Sequence, residues 1–314
     1  MDNIFKQYGV KIGHAHDDKV KTGVSVILPD AAAICAVDVR GGGPGTRETA
    51  ALQEGRLIER VHAVCLSGGS VYGLAAADAV TTWLGAQGRG YVARAGVPVS
   101  PIVPSAILFD NANGGEKDWG NIPPFHALGL TACNAADYSS GEGAVGAGFG
   151  ATAGIYAGGL GIATETVDGV NVTAIIAANP VGSPYMPDSK VPWAWPFEVN
   201  GEFGGARPGA DYQLSAAQDT KLALIKAAGQ ATVIGAVITD AGLTQTRAKR
   251  LAVMAQDGLA MSVQPAHTPL DGDTIFALSM GDKPCGGPVA LAELGAAAAR
   301  VTARALMRGV HKAQ

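Results

Sequence analysis

The chain has 314 residues, of which 47% are hydrophobic and only 16% charged, with a formal net charge of −4 at pH 7. This composition excludes a disordered chain, and the lack of a Lys/Arg cluster argues against nucleic acid or an anionic membrane as a partner. With no signal peptide, no apolar stretch of about 18 residues and four cysteines outside any CxxC spacing, we expect a cytoplasmic protein with free thiols.

The first forty residues predict short strands near residues 10–12, 24–28 and 33–37. They lead into Val39-Arg40-Gly41-Gly42-Gly43-Pro44-Gly45-Thr46-Arg47-Glu48-Thr49. Three glycines before Pro-Gly cannot form a regular element, so this segment is a loop whose backbone closely approaches another part of the molecule. A purely structural turn and a substrate-adjacent loop both fit this pattern.

A buried strand at residues 61–66 is followed by Ser67-Gly68-Gly69-Ser70 and a predicted helix at 71–84. The glycine turn matches none of the GxGxxG, GxxxxGK[ST] and GxSxG patterns. We therefore interpret its glycines as allowing the strand and the helix to pack closely. An extended segment at 102–110 and a helix at 126–136 come next.

Residues 141–161 are the most glycine-dense stretch, and their apolar, small composition indicates packed backbone around a site rather than a linker. The next strand, 170–178, ends at Asn179-Pro180, where the asparagine is either an oriented polar side chain or part of an Asx turn. Residues 183–217 predict a surface loop that carries specificity or an oligomer contact. A helix is expected within 214–228.

The last third predicts strands at 232–241 and 275–278 and two helices. One helix begins after Thr244, a good N-cap residue, and the other spans 289–307. Strands that form two large layers, with helices before and after them, predict a single domain, 1–314, with an α/β/β/α sandwich fold.

The chemistry centres on Thr232. Alone, Thr232 is a β-branched residue that opens a strand, and Asp271-Gly272-Asp273 is a turn. A free N-terminal threonine, however, combines a hydroxyl nucleophile with an α-amine of pKa about 7.7–8.0 that can take the hydroxyl proton. The small, turn-like segment Gly229-Gln230-Ala231 fits cleavage before Thr232. Asn179 is a candidate oxyanion donor, and both aspartates are candidates for holding the nucleophile.

Several motifs occur in the same order as in a known family and together extend over nearly the whole chain. They are Asp38-Val39-Arg40-Gly41-Gly42-Gly43-Pro44-Gly45-Thr46-Arg47-Glu48-Thr49, Leu66-Ser67-Gly68-Gly69-Ser70, Pro101-Ile102-Val103-Pro104, Gly146-Ala147-Gly148, Asn179-Pro180-Val181-Gly182, Val237-Ile238-Thr239-Asp240-Ala241 and His267-Thr268-Pro269-Leu270-Asp271-Gly272-Asp273-Thr274. In these motifs the chain resembles the self-processing L-aminopeptidase/D-esterase family, which includes β-aminopeptidases and nylon-oligomer hydrolases.

The resemblance implies a four-layer α/β/β/α sandwich, like that of N-terminal nucleophile hydrolases but with different connectivity. It implies cleavage between Ala231 and Thr232 into fragments 1–231 and 232–314, with Thr232 as nucleophile, Asn179 at the oxyanion, and Asp271 and Asp273 as helpers. It also implies amide hydrolysis without a metal or cofactor, on peptides, β-peptides or linear amides with a free amine. Family members are commonly homo-oligomers, often tetramers.

Three residues depart from the family pattern. Ala231 stands where many members have asparagine, Ile155 where many have lysine, and Phe109 where nylon hydrolases have tyrosine. We expect slower cleavage after Ala231, and either replacement of the missing polar groups by others such as Tyr72 or Tyr156, or reduced activity. Phe109 and Ile155, together with Gly68 and Gly69, are assigned to the substrate-binding surface.

Two other functions remain open at this point. Ornithine acetyltransferases share this fold and a self-generated threonine nucleophile, so the acyl group could pass to an amine instead of water. The second alternative is an uncleaved, ligand-binding relative, which the residues Ala231, Phe109 and Ile155 support.

Overall fold

The computed structural model describes residues 3–215, 219–224 and 231–314. In this part of the chain the strands are β1 (Val10–Asp17), β2 (Thr22–Pro29), β3 (Ala33–Val39), β4 (Thr46–Arg47), β5 (Arg60–Val61), β6 (Val64–Ser67), β7 (Ser105–Ile107), β8 (Thr152–Ala153), β9 (Tyr156–Ala157), β10 (Gly159–Val167), β11 (Val170–Asn179), β12 (Thr232–Ala241) and β13 (Thr274–Lys283). The helices are α1 (Ile4–Tyr8), α2 (Ala75–Ala86), α3 (Phe125–Asn134), α4 (Lys221–Leu224), α5 (Gln245–Ala260) and α6 (Pro288–Lys312).

The two large sheets form the middle layers of a sandwich. One sheet has the order β1-β2-β6-β7-β4, and the other has the order β10-β11-β12-β13-β3-β5. Helices α2 and α3 pack on the first sheet, and α5 and α6 pack on the second. The predicted four-layer α/β/β/α architecture is therefore confirmed.

Apolar side chains fill all three spaces between the layers. Along β11, Ile175 belongs to the core between the sheets and the adjacent Ile176 to the core beneath α5 and α6. This alternation follows from the two-residue period of a strand. Strand β12 is buried along its whole length because both of its faces are covered.

Most predicted strands and helices are confirmed, and one of each needs correction. The predicted strand 61–66 is broken at His62-Ala63, because β5 pairs with β3 in one sheet whereas β6 pairs with β2 in the other. The chain crosses between the sheets at this break. The predicted helix 71–84 begins as a 3-10 turn over Ser70–Leu74 and becomes α-helical only at Ala75.

The segment 183–217 is irregular, as predicted, but it is more than a surface loop. Tyr185, Ala194 and Phe203 are buried in the core that α6 covers. The Glu202 carboxylate accepts hydrogen bonds from Arg304 and Arg308 of α6. These contacts hold part of the segment against α6.

Parts of two sequence predictions lie outside the described residues. Of the helix expected within 214–228, the structure describes the single turn α4, while residues 216–218 and 225–228 lie outside the described part. The turn at Gly229 and Gln230 also lies outside it. All four cysteines are buried and free, as expected. Among the described helices, none is both long and apolar enough to cross a membrane.

Candidate active site

Asn179 and Thr232 are directly opposite each other in the antiparallel pair β11–β12. Asn179 is the last residue of β11 and Thr232 the first of β12, so both lie at the same edge of the sheet. Thr232 is only 3% exposed, and Asn179 is fully buried. Asn179 Oδ1 accepts hydrogen bonds from Thr152 and Lys221, and the Val181 N–H that an Asx turn would use donates to Asp271. The Asn179 side chain is therefore an oriented polar group rather than the start of an Asx turn.

One backbone N–H group connects the Thr232 hydroxyl to the peptide bond before it. The Gly272 N–H donates to Thr232 Oγ1 at 3.0 Å and to the Ala231 carbonyl oxygen at 3.1 Å. The Thr232 hydroxyl in turn donates to the Ala231 carbonyl oxygen. The hydroxyl therefore lies beside a carbonyl group whose oxygen a fixed N–H donor already polarises.

Asp273 holds the backbone next to the nucleophile. Its Oδ1 accepts a hydrogen bond from the Val233 N–H at 2.8 Å, and its Oδ2 accepts one from the His267 N–H at 3.0 Å. The same Oδ2 lies 2.7 Å from His267 Nδ1. Asp273 thus fixes the backbone of the residue after Thr232 and does not hydrogen-bond the Thr232 hydroxyl.

Asp271 holds the loop on the other side of Gly272. Its Oδ1 accepts from the Val181 N–H at 3.0 Å, and its Oδ2 accepts from the N–H and hydroxyl of Thr268 at 2.9 and 2.6 Å. Burial raises the pKa of Asp271, and the nearby charge of Asp273 raises it further. Both aspartates therefore lie around Thr232, where they fix the backbone that presents the Gly272 N–H.

The glycine-rich loop before Thr46 packs against this aspartate turn. The Gly43 N–H donates to the Asp271 carbonyl oxygen at 2.7 Å. A Cβ on Gly41 would lie 2.2 Å from the Asp271 carbonyl oxygen and 2.4 Å from the Asp273 nitrogen. The predicted close backbone approach is confirmed, and the loop lies beside the candidate site.

The Asn179 side-chain amide has a defined orientation. Its Oδ1 accepts hydrogen bonds from the Thr152 N–H at 2.9 Å and from Lys221 Nζ at 3.0 Å, while its Nδ2 donates to the Phe109 carbonyl oxygen at 2.8 Å. Backbone N–H and ammonium groups only donate, so the amide oxygen must face them. The second Nδ2 hydrogen is then left for another acceptor.

Lys221 is the residue of this site that the sequence analysis missed. Its Nζ also donates to the Asn179 carbonyl oxygen at 3.1 Å. Burial lowers the pKa of Lys221 to about 7, against the opposing effects of the Asp271 and Asp110 carboxylates. Lys221 lies outside the recognised motifs, and the only hint in the sequence was the isoleucine at position 155 where many family members have lysine.

Three of the four residues assigned to substrate binding lie beside Asp110, which follows Phe109 in the chain and contacts Gly68 and Gly69. Phe109 contacts Asn179 through its carbonyl oxygen, whereas Ile155 is 51% exposed. Gly69 donates its N–H to Asp110 Oδ1 at 2.7 Å, and a Cβ on Gly68 would lie 2.2 Å from Asp110 Oδ2. The close packing at both glycines is confirmed, while the role of all four in substrate binding stays a prediction.

Of the two tyrosines expected to replace the missing polar groups, one lies near Lys221. The Tyr156 hydroxyl donates to Asp219 Oδ2 at 2.7 Å, two residues before Lys221. Tyr72 is half exposed and packs edge-to-face on Trp119. Within the described residues, no three His, Cys, Asp or Glu side chains are grouped as metal ligands.

Comparison with known proteins gives consistent matches along the chain. The model of Peptidase family S58 matches residues 3–314. An uncharacterised aminopeptidase of Mycobacterium tuberculosis is 40% identical over 335 residues, which cover 100% of this chain and 95% of that protein. A 6-aminohexanoate-oligomer endohydrolase of Kocuria sp. is 31% identical over 283 residues, which cover 86% of this chain and 73% of that protein.

Solved structures agree with the fold. A β-aminopeptidase of Burkholderia sp. has a TM-score of 0.67 and 20% identity, covering 97% of this chain and 84% of that chain. The L-aminopeptidase D-Ala-esterase/amidase of Ochrobactrum anthropi, described as a variant of the Ntn hydrolase fold, has a TM-score of 0.69 and 18% identity, covering 96% and 83%. The predicted fold class is confirmed. From the match over residues 3–314 and the 40% identical relative, the chain belongs to peptidase family S58, and by that membership it is a peptide or amide hydrolase.

Proposed function

We propose that the chain cleaves itself between Ala231 and Thr232, and that the new N-terminal Thr232 then hydrolyses amide bonds through an acyl-enzyme. The observation that carries this proposal is the Gly272 N–H, which contacts both the Ala231 carbonyl oxygen and the Thr232 hydroxyl oxygen. A nucleophile, a carbonyl group and an oxyanion donor are thus gathered at one peptide bond.

Self-cleavage begins when Thr232 Oγ1 attacks the Ala231 carbonyl carbon. The C–N bond to Thr232 breaks, the hydroxyl proton passes to the departing nitrogen, and an ester links Ala231 to Thr232 Oγ1. The Gly272 N–H stabilises the negative charge that develops on the Ala231 oxygen. Water then hydrolyses the ester, which leaves a carboxylate on Ala231 and restores the Thr232 hydroxyl beside a free α-amine.

Substrate turnover uses the same hydroxyl with a new base. The Thr232 α-amine, of pKa about 7.7–8.0 in an unperturbed setting, takes the hydroxyl proton as Oγ1 attacks the substrate carbonyl carbon. The free Nδ2 hydrogen of Asn179 and the Gly272 N–H stabilise the oxyanion, and Asp271 and Asp273 keep the backbone of this site in place. The amine of the substrate leaves with a proton, and water hydrolyses the acyl-enzyme.

The substrates we propose are peptides, β-peptides or linear amides with a free amine. The names of the relatives support this range, because they include an aminopeptidase and a 6-aminohexanoate-oligomer endohydrolase. The β-aminopeptidase supports it only through its fold.

The experiment is hydrolysis of aminoacyl p-nitroanilides, a β-dipeptide and 6-aminohexanoate oligomers by the wild type, Thr232→Ala and Thr232→Ser. We expect activity in the wild type, no activity in Thr232→Ala, and retained activity in Thr232→Ser, which keeps a hydroxyl. Wild-type turnover by Thr232→Ala would overturn the proposed nucleophile. With an added amine acceptor, transfer of most acyl groups to that amine instead of water would replace the hydrolase proposal by an acyltransferase.

A further inference from the structure

We propose that Lys221 is a positioning residue for turnover: it holds the Asn179 amide oxygen so that the amide N–H of Asn179 faces the oxyanion. This inference rests on the proposed function, since it concerns the same reaction. It assigns a role to a residue that lies outside the motifs of the sequence and outside the predicted catalytic set.

Lys221 binds two oxygen atoms of a single residue, Asn179. Its Nζ donates both to Oδ1 of Asn179, at 3.0 Å, and to the Asn179 carbonyl oxygen, at 3.1 Å. The ammonium group has no acceptor function, so it can bind only the oxygen end of the amide. Reversal of the amide would place the Asn179 NH₂ group against two donors, Lys221 Nζ and the Thr152 N–H.

The segment that carries Lys221 is anchored at several points beside the site. The Lys221 N–H donates to the Val181 carbonyl oxygen at 2.9 Å. Asp219 accepts the Tyr156 hydroxyl, and a Cβ on Gly154 would lie only 2.3 Å from the Asp219 carbonyl oxygen. The backbone at Asp219 therefore approaches position 154 so closely that only glycine fits there. This packing helps to hold the backbone of Lys221, two residues later, in place.

Two carboxylates near Lys221 affect whether its side chain is charged, and that charge acts on the Asn179 amide. Burial lowers the pKa of Lys221, whereas the carboxylates of Asp271, which precedes β13, and of Asp110, which follows β7, oppose this effect and favour the charged form. Asp219, two residues before Lys221, accepts the hydrogen bond of the Tyr156 hydroxyl. A positive charge at Oδ1 polarises the Asn179 amide and makes its Nδ2–H a stronger donor.

Self-cleavage and turnover depend on Lys221 to different extents in this account. In the described contacts, the Ala231 carbonyl oxygen is held by the Gly272 N–H, which does not touch Lys221. Turnover also uses the Asn179 amide. Loss of Lys221 should therefore slow turnover while cleavage before Thr232 continues.

The test compares Lys221→Met and Lys221→Arg with Lys190→Met. Lys190 is a matched control because its exposed ammonium lies over the ring of the same Tyr156, 4.5 Å from the centroid. Intact mass reports cleavage, and kcat, KM and the pH profile of kcat are measured on one p-nitroanilide. Thermal unfolding checks that each variant is folded.

We expect Lys221→Met to cleave itself but to lose about tenfold to hundredfold in kcat, with a smaller change in KM. Lys221→Arg should recover part of the activity and move the alkaline limb of the kcat profile to higher pH, because arginine stays charged. Lys190→Met should match the wild type.

Unchanged kcat in Lys221→Met would overturn the inference, as would equal losses of cleavage, kcat and thermal stability, which mark a merely structural role. If Lys221→Met does not fold, Lys221→Arg decides: an alkaline limb identical to that of the wild type contradicts the inference. A wild-type protein without cleavage or activity contradicts the proposed function itself, which separates the two failures.

Discussion

Asn179 faces Thr232 across the antiparallel β11–β12 ladder, at the edge of the sheet where β11 ends and β12 begins. This pairing places an amide and a hydroxyl side by side without help from any loop. The parallel pairing of β12 with β13 brings the turn before β13, with Gly272, to the same edge. The register of these strands therefore sets the relative positions of Asn179, Thr232 and Gly272, and strands hold such positions rigidly.

Gly272→Ala should slow self-cleavage. Its Cβ would lie 2.8 Å from Thr232 Oγ1 and 2.7 Å from the Gly43 carbonyl oxygen, so the N–H donor has to move away from the Ala231 carbonyl. We expect cleavage at least about tenfold slower, as measured by intact mass over time. Gly286→Ala is the matched control, because a Cβ at Gly286 meets nothing within 4 Å. Cleavage of Gly272→Ala at the control rate would contradict the assigned donor.

Asn179→Asp should slow substrate turnover without preventing self-cleavage. The substitution keeps the shape and the oxygen that Thr152 and Lys221 bind, but it replaces the Nδ2 donor by a negative charge beside the oxyanion. We expect kcat to fall by about 100- to 1,000-fold while cleavage still occurs. Steady-state kinetics on the cleaved variant measures this loss, and a kcat within threefold of the wild type would exclude Asn179 as the donor.

Lys221 should make stability depend on pH. Its pKa is about 7 in the folded protein because of burial, and near 10.4 in an unfolded chain. Between these values the unfolded chain binds more protons, so the free energy of unfolding rises with pH. We expect Thr232→Ala to gain stability from about pH 7 to about pH 10 relative to Thr232→Ala/Lys221→Met. Urea unfolding checks this difference, and an equal or opposite trend would contradict the lowered pKa of Lys221.

Glu202 should matter more for stability than Glu165, although both accept hydrogen bonds from arginines of α6. The side chain of Glu202 is nearly buried between Arg304 and Arg308, whereas the pair of Glu165 with Arg300 is partly exposed. We expect Glu202→Gln to cost about 1–3 kcal/mol of unfolding free energy and Glu165→Gln less than about 1 kcal/mol. Urea unfolding of both variants in the uncleaved Thr232→Ala background measures this, and equal costs would refute the distinction.

Local sequence patterns predicted most of the fold. The apolar run that Thr232 opens forms β12, and Thr244 caps α5 by accepting the Arg247 N–H, as expected. The break at His62-Ala63 was not predictable from periodicity, because it depends on which sheet each half of the segment joins. Apolar residues alone do not distinguish one long strand from two short ones in different layers.

The sequence analysis predicted which side chains lie together at the candidate site, but it did not predict the hydrogen bonds that they make. Thr232, Asn179, Asp271 and Asp273 do lie together, yet the hydrogen bond to the Thr232 hydroxyl comes from the Gly272 backbone. Sequence motifs are recognised by their side chains. A backbone N–H donor cannot be identified in this way, because every residue except proline has one. Lys221 was missed for a related reason: its contact with Asn179 spans 42 residues and arises only when the segment of Asp219 docks on Tyr156.

The central claim is cleavage before Thr232, and the intact mass of the purified wild-type chain tests it most directly. We predict two fragments, 1–231 and 232–314, with Thr232 as the N-terminal residue of the smaller one, and a single uncleaved chain in Thr232→Ala. A wild-type protein that remains one full-length chain, or a Thr232→Ala variant that still yields both fragments, would contradict it.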